Sequence, residues 1–390
     1  MVADERWNQA KKLLCVRLDT IGDVMMTTPA IRALKESGPG RHITLLTSSP
    51  GAMVAPYVPE VDNVIVYDAP WINVAAPRKS SQPEVEMAEQ LREAGFDAAV
   101  IFTVYSQNPL PAAFLCYLAD IPLRLAHCHE NPYQLLNPWV EDPEPTHFVR
   151  HEVRRHLDLV ATVGCQIEDE RMSFQVPAAA RQRIQQLLEG LAVDLASPWV
   201  VIHPGATAPS RRYPPEGFAA VADRLVMESN WQVLFTGTSP ERELVEEIQS
   251  KMNAPSHSLV GCLSLAELGA LLEAAPVLIS NNSGPVHIAA ALGTPIVDLY
   301  ALTNLQHTPW MVPSRVLYHD VPCKLCYRSI CPEGHHHCLR LVSPDAVVTA
   351  AHQLLEQSRH NGAGEMQELA DIFPSVPFIF SSGLEKKVVL

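Results

Sequence analysis

Long apolar runs are missing from this chain of 390 residues: none reaches the ~18 consecutive residues that a membrane-spanning helix needs. The N-terminus, MVADERWNQAKK, lacks the apolar centre of a signal peptide, so a cytoplasmic protein is the expectation. Basic charge is also scarce. Lys and Arg number 29 against 43 Asp and Glu, for a net charge of −14. Non-specific nucleic-acid binding needs a basic face, and this balance argues against it. A small basic patch for phosphates is still compatible. The first turn, DTIGDV, carries no Gly-x-Gly-x-x-Gly, which speaks against a dinucleotide-dependent dehydrogenase. The chain shows no short internal repeat and no low-complexity run. Cysteine is present at nine positions, and in a reducing compartment these thiols are expected free or metal-bound rather than paired.

What is present is the composition of a globular protein, 47% apolar and 18% charged. The length exceeds one typical core and predicts two domains. Strand and helix patterns alternate, the mark of a parallel, doubly wound α/β sheet. Strands are predicted at Lys12–Leu18, His42–Thr47, Asn63–Tyr67 and Asp97–Phe102, and helices over Val24–Glu36, Pro83–Ala94 and His151–Val163. Residues 103–147, rich in proline and aromatics, give no clear pattern. The alternation restarts after Val176-Pro177. Strands Trp199–His203, Trp231–Thr236 and Ala275–Ile279 then alternate with helices Ala178–Leu191, Pro215–Glu228, Pro240–Met252, Ser264–Ala274, Val286–Leu292 and Pro344–Gln357. Ser264 with Glu267 forms a capping box. The expected division is residues 1–176, residues 177–360 and a partly ordered tail, 361–390.

The most informative stretch is SNNSGPVHIAAALGT, Ser280 to Thr294. Small polar residues and a glycine sit where a buried strand meets a helix, the crevice in which α/β sheets bind ligands. Free N–H groups at the helix start suit a pyrophosphate. Asn282, Ser283, Gly284 and His287 form this cluster. Asp23, at the end of the first strand, is read either as a proton acceptor facing the cleft or as a helix cap. Asp19 competes for both roles. In the second half, HPGATAPSRRYP offers the Thr207 hydroxyl and the Arg211 and Arg212 guanidinium groups to a phosphate, or else is a surface turn. Glu241 either binds ribose hydroxyls or answers the helix dipole. Cys323, Cys326, Cys331 and Cys338 enclose His335, His336 and His337. Four thiolates can close a structural zinc or iron site, although the second spacing is not that of a common zinc ribbon.

Four blocks resemble glycosyltransferase family 9, the ADP-heptose:lipopolysaccharide heptosyltransferases. They are VRLDTIGDVMMTTPAIRALK, HPGATAPSRRYPPEGFAAVADRL, FTGTSPERELVEEI and LVGCLSLAELGALLEAAPVLISNNSGPVHIAAALGTPIVDLY. The segment ending CPEGHHHCL resembles one in heptosyltransferase II-like members. The resemblance runs in order over roughly residues 12–355. It implies a GT-B fold, two Rossmann-like domains facing a cleft. The first would take a glycolipid or glycan acceptor and the second an ADP-sugar donor. It implies inverting heptose transfer from ADP-heptose to the lipopolysaccharide inner core, with no metal essential to catalysis. Peripheral contact with the inner membrane, through the Trp71 or Tyr133–Trp139 regions, would follow. By resemblance Asp23 is the general base, Arg211 replaces a frequent Lys, and Thr207, Glu241, Asn282, Ser283, Gly284 and His287 meet the donor. Many members carry Asp where this chain has Asn282, so a different nucleotide sugar or acceptor is one alternative. A nucleotide-sugar-binding protein without turnover is another.

Overall fold

The computed structural model describes residues 5–72 and 78–361. The tail expected from 361 onward therefore lies outside the described residues beyond Asn361. The chain builds two six-stranded sheets. The first contains β1 (Lys12–Arg17), β2 (His42–Thr47), β3 (Asn63–Val66), β4 (Ala98–Ile101), β5 (Leu123–Cys128) and β6 (Trp139–Glu141), in the spatial order 3-2-1-4-5-6. The second contains β7 (Trp199–His203), β8 (Gln232–Phe235), β9 (His257–Ser258), β10 (Leu278–Asn281), β11 (Ile296–Leu299) and β12 (Ser314–Leu317), in the order 12-11-10-7-8-9. Every pairing within both sheets is parallel. Counted from its own first strand, the second sheet repeats the order of the first. This is the doubly wound arrangement, with the switch point between β1 and β4 in the first sheet and between β7 and β10 in the second.

The central strands are apolar on both faces because helices cover both. In β7 all of Trp199–His203 is buried, and in β4 all of Ala98–Ile101. One apolar cluster continues from one sheet to the other. Val24, Met25 and Ile31 of the Ile21–Glu36 helix belong to it, as do Val286, Ile288 and Ala289 of the Gly284–Leu292 helix. The two helices meet across the seam between the sheets. Their N-termini, which carry the sequence-predicted site residues, are thereby brought face to face. No helix among the described residues is long and apolar enough to cross a membrane.

Three boundaries differ from the pattern in ways that affect the site. The helix expected from Val24 begins at Ile21 with Thr20 as its N-cap, so Gly22 and Asp23 lie in its first turn rather than in a loop. The strand expected at Ala275–Ile279 runs instead over Leu278–Asn281. Its polar end is held by side-chain bonds: Ser280 Oγ donates to the His203 carbonyl (3.1 Å) and Asn281 Nδ2 to the Pro204 carbonyl (2.6 Å). The following helix starts at Gly284 with Ser283 as N-cap, two residues before the apolar pattern begins. Residues 103–147 hold the Leu110–Leu118 helix together with β5 and β6. Two prolines at the start of that short helix, Pro109 and Pro111, and its uniformly apolar sequence hide the periodicity. Strands β11 and β12 were also unmarked, since β11 contains a buried Asp298 and β12 is a half-buried edge.

Candidate active site

On the first-sheet side the centre of the site is Arg17, at the end of β1 and fully buried. It is surrounded by carboxylates. Its Nη1 donates to Glu152 Oε1 (3.0 Å) and its Nη2 to Asp23 Oδ1 (3.2 Å). Its Nε lies 3.1 Å from Asp19 Oδ2 without the alignment of a hydrogen bond. Glu152 opens the Glu152–Ala161 helix and also pairs with His156 at 3.0 Å. Burial penalises the Arg17 cation, but the three acids outweigh it and hold it protonated beyond its ordinary range. Asp23 divides its oxygens. Oδ2 accepts from the Thr20 N–H (3.0 Å) and hydroxyl (2.7 Å), and Oδ1 faces Arg17. Burial works to raise the Asp23 pKa, while Arg17, His307 and Thr20 together hold it below its usual range. Asp19 moves the other way. Burial raises it more than Arg17 lowers it, and the Asp23 charge adds to the rise. Its Oδ1 accepts from Gln107 Nε2 at 2.6 Å. Of the two candidate acids, Asp23 is the one held as a carboxylate. The capping reading of Asp23 is met by Oδ2, while Oδ1 is paired with the buried Arg17.

Across the seam, the Gly284–Leu292 helix presents its N-terminus. Ser283 Oγ and His287 Nδ1 are buried with no hydrogen-bond partner among the described residues. The His287 ring packs directly on Gly22: a Cβ there would lie 2.8 Å from its Cδ2. Gly22 is required by this close approach and not by a positive φ. Burial, with His307 and Arg211 nearby, pushes the His287 imidazole down to about 3, so it is neutral at physiological pH. Gly284 sits over Ile21, 3.6 Å from its Cγ2 to the added Cβ. Asn282 turns away from the helix end. Its Nδ2 donates to Asp298 Oδ2 (3.0 Å) and to the His307 carbonyl (2.8 Å). Burial raises the Asp298 carboxyl to about 8 despite the Asn282 bond and Arg211, so it is largely protonated at neutral pH.

The two arginines after β7 separate into different roles. Arg212 spends its guanidinium on the loop, donating from Nε to the Ala206 carbonyl (2.7 Å) and from Nη2 to the Thr207 carbonyl (3.4 Å). Arg211 ends a short 3-10 turn, Pro209–Arg211, and its guanidinium makes no hydrogen bond or ion pair among the described residues. The turn is held by Ser210, whose N–H and Oγ donate to the Ser329 (3.0 Å) and Arg328 (2.8 Å) carbonyls. Arg211 lines a cavity of about 160 Å³ with Val104 and Ser106 from the first sheet's side and with Gln306, His307 and Arg328. Thr207 is exposed. Glu241 Oε2 accepts from the Thr238 N–H (2.7 Å) and Oγ1 (2.9 Å), a capping box. Its other oxygen crowds Gly205, where a Cβ would lie 1.9 Å away.

The cysteine segment packs against the same loops. Leu325 N–H donates to the Leu302 carbonyl (2.7 Å) and Tyr327 N–H to the Thr303 carbonyl (3.0 Å). Burial raises the Cys338 thiol, and the neighbouring Cys331, Cys323 and Cys326 raise it further. The four sulfurs therefore share one neighbourhood. Cys323 Sγ lies 3.6 Å from His335 Nε2. Among the described residues, however, no three His, Cys, Asp or Glu side chains are set as a metal-ligand group. The thiols are gathered but not closed around a centre.

Sequence reasoning did not single out Arg17, Glu152, Asp298 or His307. Three of them are ionisable groups in apolar or polar runs that gain meaning only when the sheets come together. His307, in the loop after β11, follows no motif. Its Nε2 is buried without a partner, and Asp298 Oδ1 and Thr308 Oγ1 are likewise unpartnered.

A pair of doubly wound sheets with facing switch points, an acid on one side and an anion-ready helix end on the other, defines a two-domain nucleotide-sugar enzyme class, the GT-B glycosyltransferases. The family model for Glycosyltransferase family 9 (heptosyltransferase) matches residues 85–337, and the chain belongs to that family. It is 26% identical to lipopolysaccharide heptosyltransferase 2 of Salmonella typhimurium over 372 residues, covering 89% of this chain and 99% of that protein. The structure of the Escherichia coli ADP-heptose lps heptosyltransferase II superposes with a TM-score of 0.69 at 24% identity, covering 89% and 99% of the two chains. A family 9 glycosyl transferase from Veillonella parvula gives 0.73 at 23% identity, covering 89% and 98%. The fold is thus GT-B and the protein is a family 9 glycosyltransferase.

Proposed function

We propose that this enzyme transfers a heptose, with inversion, from ADP-heptose to the inner core of lipopolysaccharide. Residues 1–176 carry the acceptor side and residues 177–360 the donor side. The observation that carries this reading is the opposition of the Asp23 carboxylate to the N-terminus of the Gly284–Leu292 helix, with His287 packed on Gly22 between them. The acceptor hydroxyl oxygen forms a bond to the anomeric carbon as the bond from that carbon to the diphosphate breaks. Asp23 takes the hydroxyl proton, and ADP leaves with the bonding pair. Negative charge growing on the diphosphate meets Arg211, the Ser283 hydroxyl and the free N–H groups at the helix start. Such preorganised donors are each worth about 3 kcal/mol of barrier. They supply the positive charge that a metal would otherwise bring. Thr207, Gly284 and the free oxygen of Glu241 line the path of the nucleotide. Relatives named lipopolysaccharide heptosyltransferase 2 support the acceptor, and work at the cytoplasmic face of the inner membrane belongs to the same reading.

Calorimetry with ADP, UDP, GDP and CDP and their sugar conjugates tests the donor. Preference for ADP and ADP-heptose is expected. Preference for another nucleotide moves the function to a different sugar, the second reading favoured by Asn282 standing where a carboxylate is frequent. For the base, Asp23→Asn is expected to lower kcat by about 10³ or more while ADP affinity stays within a few-fold. Wild-type turnover by that variant removes Asp23 from the role. The donor set Cys323, Cys326, Cys331 and Cys338 has the chemistry of a structural zinc or iron site that draws the gathered thiols together. Metal analysis of anaerobically purified protein tests this, and absence of stoichiometric metal rejects it.

A further inference from the structure

We infer that His307 contacts substrate, donating a hydrogen bond from Nε2 to a phosphate oxygen of the nucleotide-sugar donor. The inference rests on the nucleotide-sugar reading above and adds a residue to it. The chain of reasoning begins at Asn304. Its Oδ1 accepts twice, from the Tyr300 hydroxyl (2.9 Å) and from the Gln306 N–H (3.1 Å). That orients the amide, so the Asn304 Nδ2 is the group facing His307 Nδ1, at 3.5 Å. An amide nitrogen can only donate, so Nδ1 accepts and the ring proton resides on Nε2. The ring is buried and neutral. Burial lowers its pKa, with Glu152 and Asp23 opposing and Arg211 and Arg17 assisting. His307 therefore presents a fixed N–H donor, and Nε2 finds no acceptor among the described residues.

The backbone around His307 is equally fixed. Its carbonyl accepts from Asn282 Nδ2 (2.8 Å), and the neighbouring Gln306 carbonyl accepts from the Glu152 N–H (3.0 Å). The loop thus spans from the donor-side sheet to the helix that holds Arg17. A buried donor held this firmly, and left unpaired, is a group awaiting a ligand atom. The cavity it lines indicates which atom. Arg211 and Arg328 line the same cavity, and neither guanidinium forms a hydrogen bond or ion pair among the described residues. No carboxylate lines it. Two free cations and a neutral N–H make a lining of donors, which suits an oxygen cluster that only accepts. A phosphate meets that description: the Ser106, Thr303 and Ser329 hydroxyls in the same lining can serve any polar group, but the only charges there are the two guanidinium groups, and they call for an anion.

The test compares three variants by ADP calorimetry and by steady-state transfer. His307→Gln keeps an N–H near the Nε2 position. His307→Asn keeps one only near Nδ1, and His307→Ala keeps neither. We expect Ala and Asn to weaken ADP binding about 10- to 100-fold, and Gln to stay within about threefold of the wild type. Thermal melting of each variant reports folding, and the contrast between Gln and Asn stands even if Ala is unstable. Equal ADP affinity in all the folded variants overturns the inference. So does an effect confined to the acceptor KM, which would put the phosphate on the acceptor instead. A wild type that binds neither ADP nor ADP-heptose fails the nucleotide-sugar reading itself. Wild-type binding with unaffected variants fails His307 alone.

Discussion

Replacing Gly22 by Ala tests the seam between the two sheets directly. The added Cβ would stand 2.8 Å from His287 Cδ2, 3.4 Å from its Nε2 and 3.7 Å from its Cγ. Carbon atoms in contact prefer about 3.5 Å or more, so the ring must retreat by about 0.7 Å. It is buried in the first turn of its helix. The helix N-terminus moves with it. Overpacking of this kind costs about 1–3 kcal/mol. Alanine in a helix recovers up to about 1 kcal/mol over glycine. The net destabilisation is then about 0–3 kcal/mol, at most a drop of several degrees in Tm. Activity is more sensitive, because displacing a preorganised site by about 1 Å costs on the order of 10²-fold. A loss of about 10- to 100-fold in kcat is expected, read as ADP release from ADP-heptose in the presence of acceptor. Gly190→Ala is the control, since nothing lies within 4 Å of its added Cβ. It should leave kcat and Tm at or above wild type. Wild-type kcat and Tm in Gly22→Ala would refute the claim that His287 and Gly22 set the seam.

Other consequences follow from the same geometry. Arg17→Met strands Asp19, Asp23 and Glu152 without their shared cation, and loss of a buried partner costs about 3–5 kcal/mol. Urea unfolding should show it, and Glu152→Gln in the same chain should recover part of the loss; an unchanged midpoint in the single variant would contradict the caging. Asp298 holds a proton in the folded state up to about pH 8, whereas an unfolded Asp releases it near its ordinary value. The folded state thus binds more protons between those limits, and stability falls as pH rises through them. Asp298→Asn should flatten that decline in Tm between about pH 4 and 8, and parallel curves for the two proteins would count against the assignment. Ser210→Ala removes the Oγ bond that ties the Arg211 turn to the Arg328 carbonyl and leaves the backbone bond to the Ser329 carbonyl in place. Donor KM should rise about tenfold with Tm little changed, and an unaltered KM would mean that Ser210 does not position Arg211.

Much of this protein is legible in its sequence because local patterns report local needs. Parallel strands covered on both faces need apolar runs such as WVVIH, and the helices between them need an apolar stripe, so the alternation announced two doubly wound sheets. Glycine and small polar residues at a strand-to-helix junction marked the helix N-terminus at Ser283 and Gly284 as the candidate anion site, and the resemblance of the flanking blocks identified the family. Patterning failed where the chain is short and mixed. The Leu110–Leu118 helix is apolar all round, and β11 hides a buried carboxyl, so neither shows a clear period.

What sequence by itself determined was the class of element at each position and the chemistry each candidate residue can perform. Residue type and spacing left Asp19 competing with Asp23 and Arg212 beside Arg211, the resemblance chose Asp23 and Arg211, and His307 was unmarked. Tertiary structure separated them. Arg17 and Glu152 stand 135 residues apart, yet they share a hydrogen bond in the cluster that lowers the Asp23 pKa and raises that of Asp19. Arg212 is consumed by its own loop while Arg211 stays free, and the Asn304 amide decides which nitrogen of His307 carries the proton. Such outcomes depend on distance, burial and the direction of individual donors. These are properties of the packed chain, and residue type and spacing do not encode them.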